Sequence, residues 1–177
     1  VAVGWLAGNK APLVALDVLR RLDPAATLTF VGPTVQEVEV EVREAAARLG
    51  LAERVRITGR LDDDEYPDRL AAARVGLQLR VGDRGEMSAA VADLVAHGIP
   101  TVTTLATAAP STPGLQVVEL DAATIARAVT PLLADDEAWT VADVAAALLE
   151  WLRDVDDLAP STVRRVGPLL ASPGPDG

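Results

Sequence analysis

Two stretches of this chain carry residue types suited to holding a phosphate-bearing ligand. The first is Gly85-Glu86-Met87-Ser88, which leads through Asp93 to Gly98-Ile99-Pro100. It reads as a loop with an acid at a helix start, a small-residue helix, and a tight turn into a β-branched strand. Main-chain N–H groups at a helix N-terminus attract anions, and carboxylates accept hydrogen bonds from sugar hydroxyls. Ser88 can cap that helix. Glu86 and Asp93 are two helical turns apart and project toward the same side. The second stretch is Gly4-Trp5-Leu6-Ala7-Gly8-Asn9-Lys10, whose glycines allow a ligand to approach the backbone. Lys10 is the only lysine, all other basic residues being arginines. Read as the start of a helix, it opposes the helix dipole, a cost that a diphosphate in front of the helix would remove. Arg60 follows a third glycine, Gly59, and is placed to line a pocket. Asp62, Asp63, Asp64 and Glu65 read as ordinary acids at a helix start.

These motifs exclude several chemistries. The 4–10 loop is not a Walker A loop, because its glycine spacing is short and Ala11 follows the lysine. Nor is it G-x-G-x-x-G, and the second strand ends in Gly32-Pro33 rather than in a ribose-binding acid. With no cysteine and one histidine, disulfides are excluded and a zinc site is improbable. The net charge of −10 disfavours a nucleic-acid backbone or an anionic membrane as partner. No apolar run approaches the ~20 residues of a membrane span, and residues 1–10, which lack a charged n-region and a cleavage site, are not expected to be a signal peptide. The expected location is cytoplasmic.

The elements that must position these residues form a regular alternation. Apolar or β-branched runs occur at 1–6, 27–32, 54–59, 75–80, 101–104 and 115–120. Stretches of helical period occur at 13–22, 35–49, 65–73, 88–97 and 122–133. Asp121 is a candidate N-cap for the last, and Pro131 is expected to kink it or tighten its final turn. This pattern predicts an α/β fold: a doubly wound, mostly parallel six-stranded sheet with helices on both faces. At 177 residues, half of them apolar and 3% aromatic, the chain has one aliphatic core. We expect one domain over 1–171, an amphipathic helix at about 137–154 bearing Trp139 and Trp151, and a disordered tail at 172–177. Ligands in such sheets bind beyond the carboxyl ends of the strands, so the loops at 4–10, 32–34, 59–63, 80–88 and 104–114 are the places to search.

Taken in order, the motifs resemble the C-terminal, donor-binding domain of family 4-like glycosyltransferases with the GT-B fold. The resemblance covers nearly the whole chain. It runs through Val3-Gly4-Trp5, Lys10, Thr29-Phe30-Val31-Gly32-Pro33, Leu49-Gly50-Leu51, Arg54-Val55-Arg56-Ile57-Thr58-Gly59, Leu79-Arg80, the 85–88 block and Ala96-His97-Gly98-Ile99-Pro100-Thr101-Val102. It implies a Rossmann-like half of a GT-B fold, a nucleotide-diphosphate-sugar donor and retaining transfer without a metal or other cofactor. It also implies catalytic roles for Lys10, at the donor diphosphate, and Glu86, facing the transferred sugar. Gly4, Arg80, Gly85, Met87 and Ser88 would bind substrate near the sugar and phosphates, Arg60 and Leu61 would contact the base, and Asp93 would hold the ribose hydroxyls.

Three departures from the family pattern stand out. Trp5 occupies a position where many members carry arginine, and Arg80 or Arg84 could substitute for that cation. The two acids are spaced one residue closer than usual. The chain begins inside the first strand of the donor domain, so an N-terminal acceptor domain is expected to be absent and the isolated chain to be inactive. The helix at about 137–154, which in the family crosses to the other domain, could then drive self-association. A non-catalytic nucleotide-sugar-binding or protein-interaction module of the same fold is the alternative. A receiver-like signalling domain ranks last, since Thr58-Gly59 stands where its aspartate would be.

Overall fold

The computed structural model describes residues 1–82, 89–104 and 114–134. Among them are six strands and five α-helices, in the order β1 (Ala2–Val3), α1 (Pro12–Arg21), β2 (Leu28–Val31), α2 (Gln36–Arg48), β3 (Val55–Ile57), α3 (Glu65–Ala71), β4 (Gly76–Gln78), α4 (Ala89–Ala96), β5 (Thr101–Thr103), β6 (Leu115–Val117) and α5 (Ala122–Ala134). The expected helix at about 137–154 and the tail at 172–177 lie outside the described residues.

Every ladder is parallel. The strands form two three-stranded sheets, β1-β2-β3 and β4-β5-β6, rather than one unbroken ladder of six. They meet along β1 and β4. There the Leu77 N–H donates to the Val1 carbonyl at 2.7 Å and the Val1 nitrogen donates to the Val75 carbonyl at 2.7 Å. Further along the seam the main-chain ladder gives way to a side chain. The buried Gln78 amide can pair with both main-chain groups of Val3, accepting from its N–H at 2.7 Å and donating to its carbonyl at 3.3 Å. The opposite orientation turns the amide oxygen to Lys10 Nζ at 3.4 Å. The two-point pairing satisfies two main-chain groups and is the stronger arrangement. The spatial order is thus 3-2-1-4-5-6, and its reversal falls between β1 and β4.

Helices cover both faces. Leu16, Val18 and Leu19 of α1, Val42 and Ala46 of α2, and Ile125 and Val129 of α5 share one core with Phe30, Leu77 and Val102. On the other face Leu70 of α3 and Leu94 of α4 enclose Val3 and Ile99. Local chemistry sets the helix ends. Pro12 opens α1 at a position where no N–H is needed. The Thr124 N–H donates to Asp121 Oδ2 at 2.7 Å, the cap expected for α5. Gly98, at φ 70°, ends α4 in the left-handed conformation that glycine adopts without strain, and the Ile99 N–H reaches back to the Leu94 carbonyl. No helix among the described residues is long and apolar enough to cross a membrane.

Candidate functional site

The loops at the carboxyl ends of β1, β2 and β4 converge at the switch point. Gly4 (φ 98°) and Gly32 (φ 129°) leave β1 and β2 side by side, so close that a Cβ on Gly32 would stand 2.6 Å from the Gly4 carbonyl oxygen. Only glycine fits there. The Leu6 N–H donates to the Pro33 carbonyl and the Val35 N–H to the Leu6 carbonyl, fixing the first loop against the second. The chain then makes a 3-10 turn over Gly8–Lys10 before α1 begins at Pro12. Lys10 is therefore the last residue of that turn and not the first of a helix. It stands two residues before Pro12, so it remains near the positive end of the α1 dipole.

What Lys10 meets is another cation. The Val81 N–H donates to the Asn9 carbonyl at 2.9 Å, drawing the loop after β4 onto the turn. Thr104, beyond β5, clamps Arg80: its hydroxyl accepts from the Arg80 N–H at 2.8 Å and donates to the Arg80 carbonyl at 3.1 Å. Arg80 Nε is buried without a hydrogen-bond partner. Burial, and then the nearby Arg80 charge, hold the Lys10 ammonium below its ordinary pKa. Among the described residues no ion pair involves either side chain. Two neighbouring cations with no ion-paired carboxylate among the described residues favour negative charge beside them. The small cleft beside them is lined by Gly4, Trp5, Lys10 and Gln78, and Trp5 is 63% exposed at its rim.

Asp93 belongs to a different cluster. Its Oδ2 accepts a short hydrogen bond from the Tyr66 hydroxyl, in the first turn of α3. His97 Nδ1 lies 2.8 Å from the Asp93 carbonyl and 3.4 Å from Oδ1. Arg60 is exposed and Leu61 partly buried on the loop that leads from β3 to α3. Gly85, Glu86, Met87 and Ser88, with Arg84, lie outside the described residues. Lys10 lies beside Gly4 and near Arg80, and Asp93 is bonded to Tyr66. No group of histidine, cysteine and carboxylate residues able to hold a metal occurs among the described residues.

Sequence reasoning missed Tyr66, Gln78 and Thr104. Gln78 did leave a signal, as the one polar residue in the apolar run from Val75 to Leu79. A larger cavity, about 710 Å³, opens at the amino ends of the strands between Val1, Leu28, Val55 and Val75. It contains none of these groups and lies at the end of the sheet where such folds do not bind ligands. Arg54 on its wall spends its donors on the Ala26, Leu19 and Asp23 carbonyls.

Residues 1–135 match the family described as glycosyl transferases group 1. The chain belongs to this family. No curated protein matches it. Several solved glycosyltransferases share the fold. Anabaena Alr3699/HepE, solved in complex with UDP, superposes with a TM-score of 0.68 at 21% identity over 82% of this chain and 43% of that one. An α,α-trehalose-phosphate synthase (UDP-forming) from Burkholderia xenovorans gives 0.67 at 18% identity, over 84% and 39%. Sucrose-phosphate synthase from Thermosynechococcus elongatus gives 0.62 at 16% identity, over 89% and 46%. This group 1 chain thus spans less than half the length of each of these structures. Its fold is the Rossmann-like one expected of GT-B glycosyltransferases.

Proposed function

We propose that the chain is the donor-substrate domain of a retaining glycosyltransferase. It would bind a nucleotide-diphosphate sugar and present it to an acceptor held by a second domain outside these 177 residues. The observation that carries this reading is the convergence of Lys10 and Arg80, from loops after β1 and β4, with no ion pair to either among the described residues. Negative charge grows on the diphosphate as the sugar departs, and fixed cations stabilise that charge without having to reorganise. Arg80 would supply the cation that Trp5 does not. Glu86 and the 85–88 backbone would face the sugar, in keeping with the family resemblance. The HepE complex supports uridine nucleotides as first probes. The short span relative to whole glycosyltransferases supports the separate acceptor domain, and the cysteine-free sequence supports a cytoplasmic location.

Calorimetric titration with UDP, UMP and inorganic pyrophosphate tests the reading. UDP and pyrophosphate should bind, UMP more weakly. Lys10→Ala and Arg80→Ala should each weaken UDP about tenfold or more, the scale of one lost charge-assisted hydrogen bond. Absence of binding by all three ligands would sink the proposal. The exposed Trp5 favours a second reading, a nucleotide-sugar-binding module that performs no transfer. A longer protein that includes the acceptor domain, binds the donor and never turns it over would establish that alternative.

A further inference from the structure

The contact between Tyr66 and Asp93 is the one place where a hydroxyl from one helix is committed to a carboxylate on another among the described hydrogen bonds. Tyr66 sits in the first turn of α3, directly after the loop bearing Arg60 and Leu61, and Asp93 lies in the middle of α4. The ring packs beside Leu70, Leu94 and Ile99, so it is anchored in the core. Its hydroxyl reaches out to Asp93, whose side chain is 37% exposed. The phenol is held well above its ordinary pKa, by burial first and by Asp93 second, so it stays a donor at all working pH values.

The consequence for the carboxylate is asymmetric. Oδ2 is occupied by Tyr66. Among the described residues Oδ1 has only a long approach from His97, whose Nδ1 makes its closer contact with the Asp93 carbonyl. One oxygen is therefore fixed, and on this partly exposed side chain the other keeps acceptor capacity in a set direction. An unpaired exposed carboxylate would rotate about its terminal torsion, which is broad and soft. A tyrosine on one oxygen removes that freedom. Vicinal hydroxyls need an acceptor held in one orientation, because each good hydrogen bond depends on angle as well as distance.

We propose that Tyr66 is a positioning residue: it takes one oxygen of Asp93 and turns the other toward the ribose diol of the bound nucleotide. This rests on the donor-binding reading above. Tyr66 itself touches no ligand and acts through Asp93.

The test compares UDP, 2′,3′-dideoxy-UDP and inorganic pyrophosphate by calorimetry on the chain and its variants. The unaltered chain should prefer UDP over the dideoxy analogue. Tyr66→Phe keeps the ring and its packing, so the melting temperature and pyrophosphate affinity should not move. UDP affinity should fall about tenfold, and the UDP-to-dideoxy ratio should approach one. Asp93→Asn should do the same, and adding Tyr66→Phe to it should change nothing more. A Tyr66→Phe variant that keeps the ribose preference would overturn the inference. So would an equal loss of all three ligands, the mark of a purely structural role. An unaltered chain that binds UDP without ribose preference overturns the Tyr66–Asp93 assignment alone; one that binds neither UDP nor pyrophosphate overturns the donor site as well.

Discussion

At the scale of single residues, Lys10 carries the most consequence. Its ammonium is depressed by burial and by Arg80, so a base that ordinarily stays charged titrates earlier. An anionic ligand needs the charged form. UDP affinity should therefore fall as pH rises through the depressed pKa. Lys10→Arg keeps its charge throughout this range, so the ligand's own titration cancels in the comparison. Affinity measured from neutral to alkaline pH should drop more steeply for the native chain than for Lys10→Arg. In Arg80→Ala the drop should shift to higher pH, since one of its two causes is gone. The sign for stability is opposite. The unfolded chain holds the Lys10 proton to higher pH than the folded one, so this residue's contribution to stability improves with rising pH across that window.

At the scale of elements, the alternation of strand and helix was legible because buried parallel strands read as apolar runs and helices as 3.6-residue stripes. All six expected strands occur, each shorter than its apolar run. The β2 run, for example, ends at Val31 because Gly32 turns out of the sheet. The start of α1 was readable from Pro12, a residue favoured at the first helical position, yet Leu13 is the first that the apolar stripe marks. The two starts differ by one residue, and Lys10 lies before both, at the end of the 3-10 turn. The link between Tyr66 and Asp93 was not legible, because it joins α3 to α4 across a strand order that sequence spacing does not encode. Pro131 was expected to kink or tighten α5, and the helix runs through it to Ala134. The proline has no N–H for the Arg127 carbonyl. Pro131→Ala should restore that bond and raise stability by roughly 1 kcal/mol, less the unfolded-chain entropy it gives back. A thermal melt reads this directly.

At the scale of the whole molecule, the sheet is two halves joined at one seam. Apolar periodicity predicted the six parallel strands with helices on both faces, which are present; it reports which faces are buried, not which neighbours share main-chain bonds. The seam depends on Gln78, a side chain doing what a strand backbone does elsewhere. Gln78→Leu preserves the volume and leaves the Val3 N–H and carbonyl without partners. It should cost about 1–3 kcal/mol in a denaturant melt. Amide exchange at Val3 should quicken more than at Phe30, which lies in an intact ladder between β1 and β3.

The two cations belong to different halves. Lys10 follows β1 and Arg80 follows β4, so an anion held by both would staple the seam from its open end. With the site empty, like charges press the halves apart there. With it filled, the same charges pull them together, and a ligand at a hundredfold excess over its Kd adds about 2.7 kcal/mol to the folded state. On the proposed reading, the supply of sugar nucleotide sets the working lifetime of the protein as well as the rate of its reaction. A starved cell would hold a form that opens more often to proteases, and a well-fed one a form that is spared.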